Sequence, residues 1–477
     1  LALVLENHPN LAEGEREAIC DAVGEGIAWL LSAANQDGGF GDTDRSLSNI
    51  ATTMLVIAAL KLGGKQVLGA KARGAACGST SGERGAIKTE QKGGDCEEQI
   101  EQVVRAAQGY VDQCGGIAAL RRRYGTDKTF VIPILTNCAL AGLVPWSVVQ
   151  ALPFEFAAVP QRLYRAMRMP VVSYAIPALV AIGQARFFHA PPRNPILRLL
   201  RRKLVPRTMQ VLSKMQPQSG GYLEATPLTA FVLMSLAATG RADTEVARRA
   251  RGFLCASKLV DGSWPIDTNL ATWVTSLSIH ALNCDPEDDG RWADSALRAW
   301  VLKSQHRNRH PFTGAEPGGW GWTDLSGAVP DGDDTPAALL ALAAMQSKVP
   351  ADSTKEVERA VDLGLEWLLR LQNRDGGWPT FCRGWGRLPF DRSSTDLTAH
   401  AMRALAVWRG RGHVSENGVA PKRLSRAMRR GERFLQRQQR RNGEILPLWF
   451  GNQDHPAEEN PVYGTGRVLL ASSIMED

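Results

Sequence analysis

One pattern recurs at least five times along this chain of 477 residues. A helix ends in Gln or a relative, a Gly-rich turn carries an aromatic residue, and after a short loop a second helix runs Thr-x-x-x-x-x-x-Leu or close to it. The clearest copy is Trp367 to Trp378 (WLLRLQNRDGGW), followed by TDLTAHAMRAL. Others are Trp29 to Phe40 before IATTMLVIAAL, Met215 to Tyr222 before TPLTAFVLMSLAATG, Asp261 to Trp264 before TWVTSLSIHAL, and Gly318 to Trp322 before DDTPAALLAL. A weaker copy, FLQRQQRRNGEI, has Ile445 in the aromatic position. Internal repeats of this kind mean stacked units, none of which can bury its apolar face alone.

Glycine suits the end of the first helix because it adopts the left-handed conformation, and the aromatic packs over the turn. Small residues in the second helix let inner helices approach closely. Such pairs build either an open solenoid or a ring of inner helices inside outer ones, the α–α barrel. The expected fold is all-α, with two α–α barrel (toroid) domains. The length exceeds one ordinary core and predicts a division at about residues 1–250 and 251–477. Residues 63–94, rich in Gly, Ser, Lys and Ala, predict a mobile surface loop.

From Arg162 to Leu204 (residues 162–204) apolar runs are punctuated by arginine. The run PVVSYAIPALVAIG is too short to span a bilayer, and flanked by Arg165, Arg168, Arg186 and Arg198 it suits insertion into one leaflet. The competing reading is a buried core helix beside a solvated basic neighbour. No apolar run reaches the length expected of a transmembrane helix. The formal charge of +7 favours anionic partners, which include nucleic acid, acidic lipid and diphosphate groups. Nucleic acid is excluded as a partner because the arginines do not interleave with a base-stacking platform. The eight cysteines show no metal-binding spacing and read as reduced cytoplasmic thiols.

The segment PDGDDTP puts Asp331, Asp333 and Asp334 within four residues, just before a helix opening on Thr335 and Pro336. One Asp there would be a helix cap. Three crowded carboxylates cannot all ionise cheaply, so one holds its proton and becomes a general acid. The same triad could bind Mg²⁺. The spacing leaves cap, metal site and acid open. By repeat alignment Asp396 falls on Asp333 and Thr398 on Thr335, so His400 on the next inner helix can lie beside the cluster. An isolated His in an apolar helix is more often a core residue, whereas a protonated one beside carboxylates would orient an Asp and stabilise the charge left after proton donation. Aromatic residues, including Trp322, Trp378, Phe381, Trp449 and Tyr463, gather near these turns. They either pack the turns or line a cavity, where their faces would stabilise cations without trapping them.

With these motifs the sequence resembles the squalene-hopene cyclase family of class II terpene cyclases along nearly its whole length. The acid signature Asp-x-Asp-Asp-Thr stands at Asp331 to Thr335, and the QW motif at Gln372 to Trp378 and partly at Gln216 to Tyr222. The resemblance implies Asp333 as proton donor, Asp331 and Asp334 as its tuning groups, and His400 as its partner. It implies substrate contacts from Trp322, Phe381, Trp449 and Tyr463, with Trp273 and Trp146 as further candidates. It also implies a monotopic protein on the cytoplasmic face of a membrane, a polyprene substrate, a homodimer, and no cofactor unless a diphosphate substrate brings Mg²⁺. Departures are Ala34 and Ser257 at expected glutamines, Ile445 for a tryptophan, and Val274 where family members often carry Asp. Full-length members continue past the segment at Gly466, so the chain reads as a truncated or shorter member.

The expected reaction is protonation of squalene or another linear polyprene and closure to a hopene-like polycycle. The alternatives are cyclisation of a prenyl diphosphate or meroterpenoid precursor, inverting glycoside hydrolysis by paired carboxylates such as Asp324 and Asp333, and non-catalytic lipid binding by a helical-repeat protein.

Overall fold

The computed structural model describes residues 1–72, 93–125, 129–167, 173–285, 287–311, 313–346, 354–383, 389–411, 419–455 and 457–476. Among these the fold is all-α, with no strand beyond two isolated bridges, Ala225 to Asp267 and Trp378 to Ser394. The chain separates into two units: Leu1–Pro160 with Ala175–Thr268, and Gln161–Tyr174 with Asn269–Asp477.

Most turns of the repeat share the same few bonds. The first glycine of the turn has positive φ at Gly38 (80°), Gly220 (89°), Gly262 (89°), Gly318 (116°), Gly376 (101°) and Gly443 (90°), so a side chain there would be strained. The aromatic backbone N–H then donates to the Thr hydroxyl of the following helix: Phe40 to Thr53, Tyr222 to Thr229, Trp320 to Thr335 and Trp378 to Thr398, each at 2.9 Å. Ile445 makes the same bond to Thr465 at 3.0 Å, so the polar geometry of the turn survives loss of the ring. The ring itself closes the turn by donating to a carbonyl of the preceding helix, as Trp378 Nε1 does to Leu368 and Trp320 Nε1 to Val301.

The conserved geometry of the glutamine explains why the residue recurs. Gln372 Nε2 donates to the carbonyls of Gly376 and Ala427 at 2.8 and 2.9 Å, satisfying a turn carbonyl and tying it to the next outer helix. Gln216 does the same with Gly220 and Val246. Gln305 does so with Gly318 and Ala360, both at 2.8 Å, and thereby supplies the glutamine of the GGWGW copy. Its distance from that turn in sequence hides it from a reading based on spacing.

In the first unit the inner helices Ile50–Ala72, Val131–Leu140, Ile176–His189 and Thr226–Ala237 pack in that order, and Ala2–Asn7 touches both Thr226–Ala237 and Ile50–Ala72, closing the ring. Glu13–Ser32, Gly93–Cys114, Pro195–Lys214 and Glu245–Ala256 pack outside them. In the second unit the inner helices Ala271–Asn283, Asp334–Gln346, Thr395–Gly410 and Pro461–Glu476 pack successively, with Ser295–Lys303, Thr354–Leu371 and Pro421–Gln438 as outer partners. Asp334–Gln346 is buried on every side, as an inner barrel helix must be.

Three expectations change. The helix Ile50–Ala72 continues through the first part of the expected loop 63–94, because Val67 and its neighbours pack into the core; residues 73–92 lie outside the described residues. Within that helix Ile50–Gly69 is long and apolar enough to cross a membrane by length and composition, although the sequence reading found no such run; 61% of its most apolar window is buried, which suits a core helix. Finally, Ile176 to Ala185 is core and not membrane surface, with Val180, Ile182 and Ala185 almost fully enclosed. The exposed apolar side chains of the 162–204 segment are instead Leu163, Met167, Phe188, Ile196, Leu199 and Leu200. Arg168 lies outside the described residues.

Candidate active site

The acid cluster sits at the start of Asp334–Gln346, inside the second unit. Asp331 is a helix cap after all: its Oδ1 accepts the backbone N–H groups of Asp333 and Asp334 at 2.8 and 2.7 Å. Its backbone N–H is held by the Trp320 carbonyl at 2.9 Å, and that of Gly332 by Thr380 at 2.6 Å, so the preceding turn and the next repeat fix the loop. Capping therefore uses one carboxylate and leaves two for chemistry.

Burial is the main cause of every shift in the cluster. Asp331 is pushed up to about 7, opposed by the backbone bonds to its charged form. Asp334, buried and next to Asp331 and Asp333, is raised well above the ordinary carboxylate value, first by burial and then by those two neighbours. Asp333 rises to about 6, with Arg467 pulling it down, Asp396 pushing it up and a bond from Trp273 stabilising its charged form. With its side chain 23% exposed, Asp333 is the member of the three that retains access to a ligand.

His400 does lie beside Asp333, its Nε2 3.9 Å from Oδ1, and is 3% exposed. The protonated form expected from the sequence is disfavoured at this position. Burial first, then the charges of Arg467 and Arg403 and the neighbouring His280, hold its pKa well below the ordinary histidine value. His280, on Ala271–Asn283, is lowered to about 4 for related reasons. The cation nearest the acid is Arg467, whose Nη2 is 3.7 Å from Asp333 Oδ1. Arg467 directly follows the Tyr463 to Gly466 segment, and nothing in the motif spacing marks it.

A chain of aromatic rings runs through the same unit. Trp322 meets Phe381 edge to face with centroids 5.9 Å apart, Phe381 meets Phe390 at 5.8 Å, and Phe390 meets Trp449 at 5.2 Å. Tyr174 contacts both phenylalanines at 4.9 and 5.0 Å. Trp449 is oriented by a bond to the Thr380 hydroxyl at 2.7 Å. Trp273 bonds Asp333, and Tyr463 stacks against Phe450 while lying under the Arg467 guanidinium. Tyr174 and Phe390 were missed: Tyr174 belongs to the stretch read as membrane-associating, and Phe390 follows no repeat landmark. Trp146 lies in the first unit, stacked on His189 at 4.6 Å. Asp324, the second carboxylate of a glycosidase reading, is exposed.

The second unit thus holds both the carboxylate cluster, bonded by Trp273, and a series of aromatic rings. Residues 269–477 match the squalene-hopene cyclase C-terminal domain. The similarity to squalene-hopene cyclases therefore rests on this region, which makes up somewhat less than half of the chain. The chain is 30% identical over 167 residues to a probable squalene–hopene cyclase of Sinorhizobium fredii, covering 32% of this chain and 23% of that protein. It is also 30% identical over 167 residues to sporulenol synthase of Bacillus subtilis, covering 34% of this chain and 24% of the relative. The matches thus span about a quarter of those relatives' length. An ent-copalyl diphosphate synthase structure from Streptomyces platensis aligns over 100% of this chain and 94% of its own at 16% identity, but with a TM-score of 0.29 it bears no weight in the argument.

Proposed function

We propose that the protein catalyses proton-initiated cyclisation of a linear polyprene, with Asp333 as the acid. The observation that carries this reading is a carboxyl raised to about 6 by burial, beside Trp273 and in one unit with the ring series Trp322, Phe381, Phe390 and Trp449. A carboxyl that keeps its proton near neutral pH can donate it, and aromatic faces stabilise the resulting cations without capturing them. Asp331 fixes the loop, and burial favours the protonated form of the neighbouring Asp334. The family reaction needs no cofactor, since acid, shape and preorganised electrostatics suffice.

Squalene is the substrate we favour, closing to a hopene-like product. A prenyl diphosphate or prenylated aromatic is a second reading, favoured by the guanidinium groups of Arg403 and Arg467 near the acid. Exposed Phe188, Ile196, Leu199 and Leu200, near Arg198, Arg202 and Lys203 in sequence, support a monotopic association with a membrane surface from which an apolar substrate would be drawn. The test is mass-spectrometric product analysis with squalene and a series of prenyl diphosphates, using wild type and Asp333→Asn. Cyclised squalene from wild type alone supports the full reading. Turnover of a diphosphate only transfers the acid chemistry to the second substrate class, and no product from either class overturns the assignment.

A further inference from the structure

The surroundings of Asp333 contain a charge that the expected acid–histidine pair leaves unused. Three inner helices converge on this carboxyl besides its own. Ala271–Asn283 contributes Trp273 and His280, Thr395–Gly410 contributes Asp396, His400 and Arg403, and Pro461–Glu476 contributes Tyr463 and Arg467. Its own helix start adds Asp331 and Asp334. Of these, Arg467 brings the closest side-chain cation to Oδ1, at 3.7 Å. Its guanidinium is fixed over the Tyr463 ring, 5.8 Å from the centroid, and its side chain is only 21% exposed. His400 is at a similar distance, yet burial and the charges of Arg467 and Arg403 disfavour its protonated form, and its Nδ1 has no hydrogen-bond partner.

Resting on the proposed cyclase reading, we infer that Arg467 is the counter-ion of the catalytic acid: a positioning residue that holds the Asp333 carboxylate left by proton transfer, the role His400 would otherwise have. The step balances simply. The Asp333 O–H bond breaks as the alkene π pair forms a C–H bond, leaving a carbocation and a carboxylate. The terminal cation later loses a proton or takes up water with loss of one, and a solvent proton restores the acid. A neutral imidazole cannot offset the charge on that carboxylate, whereas a guanidinium always carries charge. Arg467 also strengthens the acid, opposing burial and Asp396, which both favour the protonated form.

The test reads the acid directly. Infrared difference titration of wild type against Asp333→Asn isolates the protonated Asp333 carboxyl band, and the same difference is taken in Arg467→Gln, Arg467→Lys and His400→Gln backgrounds. The expected midpoint is about 6 in wild type. It rises by about 1–3 pH units in Arg467→Gln and returns toward the wild-type value in Arg467→Lys, which also guards against a folding defect. An unmoved midpoint in Arg467→Gln, or a larger shift in His400→Gln, overturns the inference. Where cyclisation is measured, the alkaline limb of the rate profile moves up with the midpoint while plateau turnover falls. A shifted midpoint in a protein that cyclises nothing sustains the inference about charge and sinks the cyclase reading. Active wild type with an unmoved Arg467→Gln midpoint does the reverse.

Discussion

The raised Asp333 carboxyl makes the fold itself sensitive to pH, and substitution by asparagine should expose this. In the folded chain the group holds its proton up to about 6, whereas the unfolded chain releases it near 3.8. Between those values the folded state binds more protons, so stability is full below about pH 4 and is lost as pH rises through 6. At about 1.4 kcal/mol per pH unit, the shift corresponds to about 3 kcal/mol at pH 7. Asparagine resembles the protonated acid and does not titrate. Any fixed cost of the substitution therefore appears at both ends of the range, and the titrations of Asp331, Asp334 and the lowered histidines are common to both proteins apart from the part that the Asp333 charge contributes to its neighbours. Urea unfolding of wild type and Asp333→Asn at pH 4 and pH 7 isolates the effect as a difference of differences. The asparagine variant should gain about 2.5 kcal/mol relative to wild type on going from pH 4, where the unfolded chain is already partly ionised, to pH 7. A stability gap that does not change with pH, or one that moves in favour of wild type, would refute the claim that burial outweighs Arg467 at this carboxyl.

Other outcomes follow from the same geometry. Gln372→Ala removes both bonds that tie Gly376 and Ala427 and should cost about 2–3 kcal/mol in unfolding experiments. Gln439→Ala, exposed and bonded to Gly443 alone, should cost less than about 0.5 kcal/mol. Phe390→Ala takes out the ring that contacts Phe381, Tyr174 and Trp449, so product analysis should show reduced turnover and a larger share of early-terminated products. Replacing Ile196, Leu199 and Leu200 together by Ser should weaken co-sedimentation with lipid vesicles while leaving the thermal midpoint almost unchanged, since all three are exposed.

Features carried by local turn chemistry were legible in the sequence. Gly376, Trp378 and Thr398 can be read in order because the glycine and the ring share one turn and the hydroxyl lies in the first turn of the helix that follows, and the acid motif announces a crowded, capped helix start. Gln305 was not legible, since its partner turn at Gly318 is reached only after an intervening loop and the spacing that marks Gln372 is lost. The run at Ile176 to Ala185 failed for a different reason: an apolar composition is equally suited to a barrel interior and to lipid, and only packing separates them.

The acid site marks the boundary between those cases. Proximity of His400 to Asp333 follows from repeat alignment, because consecutive inner helices bring matching positions together. Protonation does not follow, because it depends on the sum of charges arriving from several helices. Arg403 lies on the same helix as His400 and three residues along, a neighbouring position on one face, and Arg467 comes from a third helix; together with burial they make the charged imidazole unfavourable. The same two arginines that silence the histidine provide permanent positive charge near the acid, with Arg467 in direct reach of it. Acid strength at Asp333 is therefore set by a contest between burial and Arg467, and a change at either should move both the stability profile and the titration of this one carboxyl in the same direction.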